Sequence, residues 1–320
     1  MHRRGLIAAL PLALALPAAA RAQGFDGFLA RLRARAAASG IPDSVIEETT
    51  SGLTPNADVL KFDHHQAEFT ESWARYSSHV LSAARLGAGQ DKAAASTALL
   101  AAVTSRFGVS SEALLGIWGI ETNYGASQGD FGVIDALATL AWDRQSGFFG
   151  KQAIDAMRII ARGDAPAGRL RGSYAGAMGQ PQFMPSVYLS TAISFTGTGS
   201  PDIWGSDADT LASMANYLAK AGWQPDQPSS EPVLAPPGLD LAATGTQNTQ
   251  TIGYWRGQGV QRLPGAVDLP AGMPASLLLP DGAGGEAFLV YQNFHVIRRY
   301  NASDFYALAV GALGRGVLGA

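Results

Sequence analysis

Glu121 is the residue around which a reaction could be built. It stands in Gly119-Ile120-Glu121-Thr122-Asn123-Tyr124-Gly125, just after the apolar run from Leu114 to Ile120. That run reads as a helix, and Asn123-Tyr124-Gly125 reads as its end. Apolar surroundings disfavour an ionised carboxylate and raise its pKa, which is what a general acid needs near neutral pH. The same pattern also fits a surface glutamate near a helix end. A second unusual string, Ser173-Tyr174-Ala175-Gly176-Ala177-Met178-Gly179-Gln180-Pro181-Gln182-Phe183-Met184-Pro185, mixes small residues with neutral hydrogen-bonding groups. Small residues let backbone approach a ligand closely, and Ser173, Tyr174 and Gln182 suit sugar hydroxyls and amides. The string lacks the Lys-Ser/Thr ending of a phosphate loop and the spacing of a dinucleotide fingerprint, so a glycine-rich turn is the plainer account.

Other chemistries find no support in residue types. The chain has no cysteine, which removes thiol catalysis, thiolate metal sites and disulfides. His64-His65, His79 and His295 form no H-E-x-x-H pattern, and no G-x-S-x-G elbow occurs. His64-His65 reads as a solvated pair on a helix face. A net charge of −3 and no basic cluster in the mature region argue against nucleic acid as a partner. Aromatic residues recur from Trp118 to Trp223. Sugars stack on such rings, but at helical spacing most of them belong to a core.

The elements that must position these groups are mainly helical. With 47% hydrophobic and 15% charged residues the chain has ample material for a core. From Phe25 to about Gly222 it is rich in Ala and Leu at helical spacing, as in Ala98–Val103 and Leu211–Leu218. Gly87-Ala88-Gly89, Gly108, Gly163-Asp164-Ala165-Pro166 and the Thr196–Pro201 stretch read as helix ends. From Trp223 onward nine prolines between Pro225 and Pro280 forbid continuous helix, while Ser276–Leu279 and Ala287–Tyr291 read as strands. A helix returns with Tyr300, Phe305, Leu308, Ala309 and Leu313 on one face and Ser303 as its cap. At the start, His2-Arg3-Arg4, an apolar run from Leu6 to Pro17 and Ala20-Arg21-Ala22 form a signal peptide cut before Gln23. That run is short for a membrane span. The boundaries are therefore 1–22 leader, 23–222 helical core, 223–292 Pro-rich β-containing lobe and 293–320 a helical segment completing the core.

Taken together, Glu121-Thr122-Asn123-Tyr124-Gly125, the Ser173–Pro185 string, Asn216-Tyr217 and the stretch from Asn293 to Ser303 resemble the B-type lytic murein transglycosylases, in the family's order and over most of the mature chain. The resemblance implies a mainly α (α+β) fold, with a lysozyme-like helical core and a smaller β-containing lobe. It implies peptidoglycan glycan strands as the partner, no cofactor, and a periplasmic location after leader removal by the general secretory or the twin-arginine route. Glu121 matches the family's catalytic glutamate, which protonates the glycosidic oxygen and then, as carboxylate, helps the C6 hydroxyl close a 1,6-anhydro ring on N-acetylmuramic acid. Ser173, Gln182, Phe183, Tyr217, Tyr300 and Asn301 are implied to line the groove, Tyr76 to reach Glu121, and Tyr174 and Tyr124 are placed with them. Some members carry a calcium loop after the second string. Here that region reads Ser194-Phe195-Thr196-Gly197-Thr198-Gly199-Ser200-Pro201-Asp202, too poor in carboxylates, and no metal is expected.

Overall fold

The computed structural model describes residues 18–65 and 71–319. The leader expected over 1–22 lies outside the described residues as far as 17, and residues 18–22 open the first helix. The N-terminal half is a succession of helices: α1 (Ala18–Ala38), α2 (Asp43–Thr50), α3 (Ala57–His64), α4 (Trp73–Val80), α5 (Ala83–Ala95), α6 (Thr97–Phe107) and α7 (Ser111–Thr122). A two-residue strand, β1 (Phe131–Gly132), leads into α8 (Val133–Asp143) and α9 (Gly147–Ala161); its partner β2 (Arg171–Gly172) precedes α10 (Pro185–Thr191) and α11 (Asp207–Lys220). Side-chain caps set several starts: Asn56 accepts from the backbone of Asp58 and Val59, Ser110 from Ala113, and Ser206 from Asp209. Each cap satisfies a helix N–H that would otherwise lack a partner, worth about 1 kcal/mol.

The Pro-rich stretch is a sheet-bearing lobe. β3 (Ser230–Leu234), β4 (Thr249–Thr251), α12 (Ile252–Gly257), β5 (Gln261–Arg262), β6 (Pro274–Leu278) and β7 (Ala287–Val290) follow one another, and the strands form an antiparallel sheet in the order β4-β6-β7-β3-β5. The apolar runs in β6 and β7 alternate between two cores, as a strand's two-residue period requires. Leu278, Phe288 and Val290 face the helices, whereas Ala275, Leu277 and Leu289 pack with Trp255 and Ile252 inside the lobe. The chain then returns to helix in α13 (Gln292–Tyr300) and α14 (Asp304–Leu318), the latter capped by Ser303 as the sequence implies.

Two expectations are overturned. Tyr300 ends α13, ahead of the Ser303 cap, and so does not share the face of α14. Gly87-Ala88-Gly89 does not end a helix but lies inside α5, where Gly89 lets a tyrosine ring come in. A Cβ on Gly89 would sit 2.3 Å from the Tyr124 hydroxyl. Helix-breaking propensity is here overridden by the need for space.

The centre of the helical core is the crossing of α7 and α14. Residues 113–119 of α7 and 306–311 of α14 are all buried. Glycines bring the two backbones together: a Cβ on Gly116 would lie 2.1 Å from the Val310 carbonyl oxygen, and one on Gly314 the same 2.1 Å from that of Glu112. No side chain can move aside to relieve such a contact. Gly116→Ala is therefore expected to destabilise the protein by about 3 kcal/mol, well beyond an ordinary surface substitution, read as a lowered urea midpoint.

Candidate active site

Glu121 occupies the last turn of α7, and three separate segments fix that turn. Asn123 and Tyr124 are both left-handed, with φ of 48° and 59°. Their N–H groups return to the carbonyls of Gly119 and Trp118, closing the helix end. Thr122 donates to the Gln180 carbonyl at 2.9 Å and accepts from Gly125 N–H at 3.1 Å. Buried Gln180 accepts from the Trp118 indole at 2.8 Å, so the second string clamps the end of α7 from below. The third segment is α14. Tyr306, in the first turn of that helix and buried, donates its hydroxyl proton to Glu121 Oε1 at 2.6 Å.

This setting shifts the acid. Glu121 is pushed up to about 7, chiefly because burial penalises the carboxylate, and the hydrogen bond from Tyr306 partly opposes the shift. No charged side chain among the described residues contributes, so no second carboxylate and no cation acts on Glu121. Burial, with the negative charge of Glu121 behind it, also holds the phenols of Tyr306 and Tyr300 well above their ordinary value. Both stay protonated. Tyr76 is raised by burial, by Glu121 and by a second carboxylate, Glu71. A carboxyl group with this pKa is divided between its two forms near neutrality, which suits a group that must both give and take a proton.

Several of the residues implied from sequence come together here. Tyr76 packs on Phe305 beside Glu121, with ring centroids 5.8 Å apart. Tyr217 and Tyr300 meet edge to face at 5.0 Å, and their hydroxyls are anchored on the carbonyls of Arg299 and Pro181. Gln182 is held with φ of 51° by bonds from its side-chain amide to the carbonyls of Gln128 and Gly179. Ser173 Oγ accepts two backbone N–H groups, from Ala175 and Ala177. Its own hydroxyl proton has no acceptor among the described residues. Asn301 is exposed; its Oδ1 accepts from Ser303 N–H, which leaves its NH2 group to donate outward. Tyr174, next to Ser173 in the chain, stacks its ring on Phe62.

Two assignments are corrected. Tyr124 does not line a groove: it is 3% exposed, its ring packs on Trp118 and under Gly89 and Gly119, and its buried hydroxyl has no partner among the described residues. Phe183 is 2% exposed and props up the rings of Tyr217 and Tyr300 from behind. The sequence reading also missed two residues. Tyr306 was hidden in an apolar helix face, although its place three residues after the Ser303 cap put it in the helix's first turn. Gln180 was passed over for Gln182, and only the fold shows that it faces inward.

Comparison with known proteins decides the family, because the profile of the Transglycosylase SLT domain matches residues 24–315, nearly the whole described chain. The protein belongs to the SLT transglycosylase domain family. Membrane-bound lytic murein transglycosylase B of Escherichia coli K12 is 36% identical over 228 residues, covering 66% of this chain and 58% of that protein. This SLT domain thus spans little over half the length of that curated relative. Its fold superposes on SltB3 from Pseudomonas aeruginosa, solved in complex with NAG-anhNAM-pentapeptide, with a TM-score of 0.88 and 40% identity over 93% of this chain and 80% of that one. The Escherichia coli lytic transglycosylase Slt35, solved in complex with calcium, gives 0.76 and 28% over 92% of each chain. The mainly α, lysozyme-like architecture with a small β-containing lobe is thereby established.

Calcium does not fit the loop of this SLT domain. Hard cations need several free oxygen ligands, carboxylates among them. Here the Ser194, Thr196 and Thr198 hydroxyls bond to one another. Asp209 spends both oxygens on the N–H groups of Phe195 and Asp202. Asp202 in turn pairs with Arg169 and caps Trp204 and Gly205. The loop is closed by its own hydrogen bonds.

Two outcomes follow for this SLT domain. The folded pKa of Glu121 lies above the ordinary 4.5, so the folded state holds the proton more tightly and loses stability as pH rises. That cost is complete above pH 7, on the order of 3 kcal/mol, and absent below 4.5. Glu121→Gln, which keeps an acceptor for Tyr306, should raise the melting temperature in alkaline buffer and leave it nearly unchanged in acid. Tyr124→Phe removes a buried hydroxyl without a partner; thermal melts and turnover should both match or exceed the wild type.

Proposed function

We propose that this domain is a lytic transglycosylase that cleaves the β-1,4 bond between N-acetylmuramic acid and N-acetylglucosamine in peptidoglycan and releases 1,6-anhydro-N-acetylmuramic acid. The observation that carries the reading is the carboxyl of Glu121, raised to about 7 by burial and held by the Tyr306 phenol. A hydrolase with two carboxylates needs a second one at roughly 5–10 Å to act as nucleophile or to activate water. Among the described residues no carboxylate is hydrogen-bonded to Glu121 or is a cause of its raised pKa. The relatives named above, one of them solved with a NAG-anhNAM-pentapeptide, support the choice of substrate and product.

The chemistry then balances without water. Protonated Glu121 gives its proton to the glycosidic oxygen as the C1–O bond breaks, and N-acetylglucosamine departs with a free hydroxyl. The positive anomeric carbon is met by the substrate's own N-acetyl oxygen, an intramolecular partner of high effective concentration. Glu121, now a carboxylate, takes the proton from the C6 hydroxyl as O6 bonds to C1 and the acetamido group is released. The acid is restored for another cycle. Tyr306 stabilises the carboxylate stage and fixes the oxygen it holds, leaving the other oxygen to work. The outward donors of Ser173 and Asn301 suit an N-acetyl carbonyl and turn it toward C1, while Tyr76, Tyr217, Tyr300 and Gln182 line the strand's path. The domain acts in the periplasm after export.

Mass spectrometry of muropeptides released from purified sacculi tests this. The wild type should give anhydro-muramic ends and Glu121→Gln should give none; reducing muramic ends would sink the mechanism, and full activity in Glu121→Gln would remove the residue from it. Tyr306→Phe deletes the hydrogen bond that favours the carboxylate, so Glu121 rises further. Activity should fall roughly tenfold to a hundredfold, and the alkaline limb of kcat/KM should move to higher pH.

A further inference from the structure

Phe62 is 52% exposed, yet nothing about its helix is loosely held. Along α3, Asn56 bonds to Asp135 and Thr139 of α8 at the start. Val59 is fully buried against Ala136 and Leu140 in the middle. At the end Asp63 takes a two-pronged grip from Arg144 at 2.6 and 2.8 Å, and His64 meets Asp143 at 2.9 Å. These contacts fix the rotation of α3 about its axis and hold Phe62 outward. The ring is also oriented. It stacks on Tyr174 at 5.7 Å and 25°, and Phe131 meets it edge-on at 5.9 Å. Phe131 and Tyr174 are brought side by side by the β1–β2 pair, since Phe131 lies opposite Gly172 and Tyr174 follows two residues later.

Phe62 is thus a ring of fixed orientation, backed by a second ring and half open to solvent, an arrangement on which the apolar face of a sugar can stack. What would cover it is indicated by its place. Tyr174 adjoins Ser173 at one end of the Ser173–Pro185 string; the other end, through Gln180 and Pro181, clamps α7 beneath Glu121 and receives the Tyr300 hydroxyl. One short segment therefore joins the platform to the candidate catalytic centre. The end of α3 next to Phe62 also carries polar groups, in the Arg144–Asp63 ion pair and the His64–Asp143 hydrogen bond, beside the apolar ring face.

We propose that Phe62, backed by Tyr174, is a distal stacking platform for a sugar ring of the glycan strand, outside the pair of sugars being cleaved. The inference rests on the reading of the protein as a glycan-cleaving enzyme. Such a platform holds long strands and leaves the chemistry alone, so its signature is a dependence on substrate length. Phe62→Ala should lower kcat/KM on long, stem-free glycan strands by roughly three- to tenfold. On the shortest fragment that the wild type cleaves it should change nothing, and Phe62→Trp should restore the preference for length. Equal loss on both substrates, or no loss on the long one, overturns the platform; a thermal melt of each variant identifies an equal loss that comes from misfolding and counts it against the proposal as well. Titration of the same strands into Glu121→Gln, with and without Phe62→Ala, separates the two readings. If the wild type forms no anhydro product but the titration still shows weaker binding on loss of Phe62, the catalytic reading fails and the platform stands. If anhydro product forms and the titration shows no difference, the platform alone fails.

Discussion

The structure depends on how closely α7 and α14 can approach. Gly116 and Gly314 give each helix a bare patch where it meets the other's carbonyl oxygens, and the two backbones come into direct contact. Side chains of ordinary size would hold them apart at the usual helix spacing of 8–10 Å. Because Tyr306 and Glu121 project from these same helices, their 2.6 Å hydrogen bond is set by the crossing and not by any freedom of the side chains. The desolvation of Glu121 has the same origin: α14 covers the end of α7, and burial is the larger cause of the raised pKa. Packing and acid strength are thus one property of this fold.

Much of that was legible in residue order, for identifiable reasons. The α7 run, the α14 face with its Ser303 cap and the strands β6 and β7 all follow local rules of period and capping, and each appears where those rules place it. Glu121 could be singled out because an acid after seven apolar or glycine residues is conspicuous. What could not be read was distance across the fold. Gly89 looked like a helix end because its need arises from Tyr124, which is remote in sequence. Tyr124 and Phe183 were placed at the groove through the family resemblance, which does not say which side of the backbone a ring occupies. Both point inward. Tyr306 was passed over for the converse reason, since a polar tip on an otherwise apolar helix face shows its purpose only when its acceptor is known.

The site's economy also has a physical basis. A carboxyl that is to serve as acid and base within one cycle must not be driven to either extreme. Burial alone would lock Glu121 in its protonated form, and a nearby cation would lock it ionised; a single neutral phenol lies between these, favouring the charged form without neutralising it. The raised phenol pKa values of Tyr300 and Tyr306 complete this arrangement, because both remain neutral while the carboxyl changes state.

Glu121 and Tyr306 are 185 residues apart in the chain. Their meeting is among the longest-range contacts in the molecule, and contacts that close long loops form late in folding because the entropy of closure must be met before they contribute. Without α14 in place, Glu121 would lose the Tyr306 hydrogen bond and part of the burial that raises its pKa. Such a chain would lack the arrangement on which the proposed reaction rests. For a protein proposed to cut the polymer that encloses its own cell, this makes the last tertiary contact a safety catch: destructive capacity arises only in molecules whose whole core has been assembled.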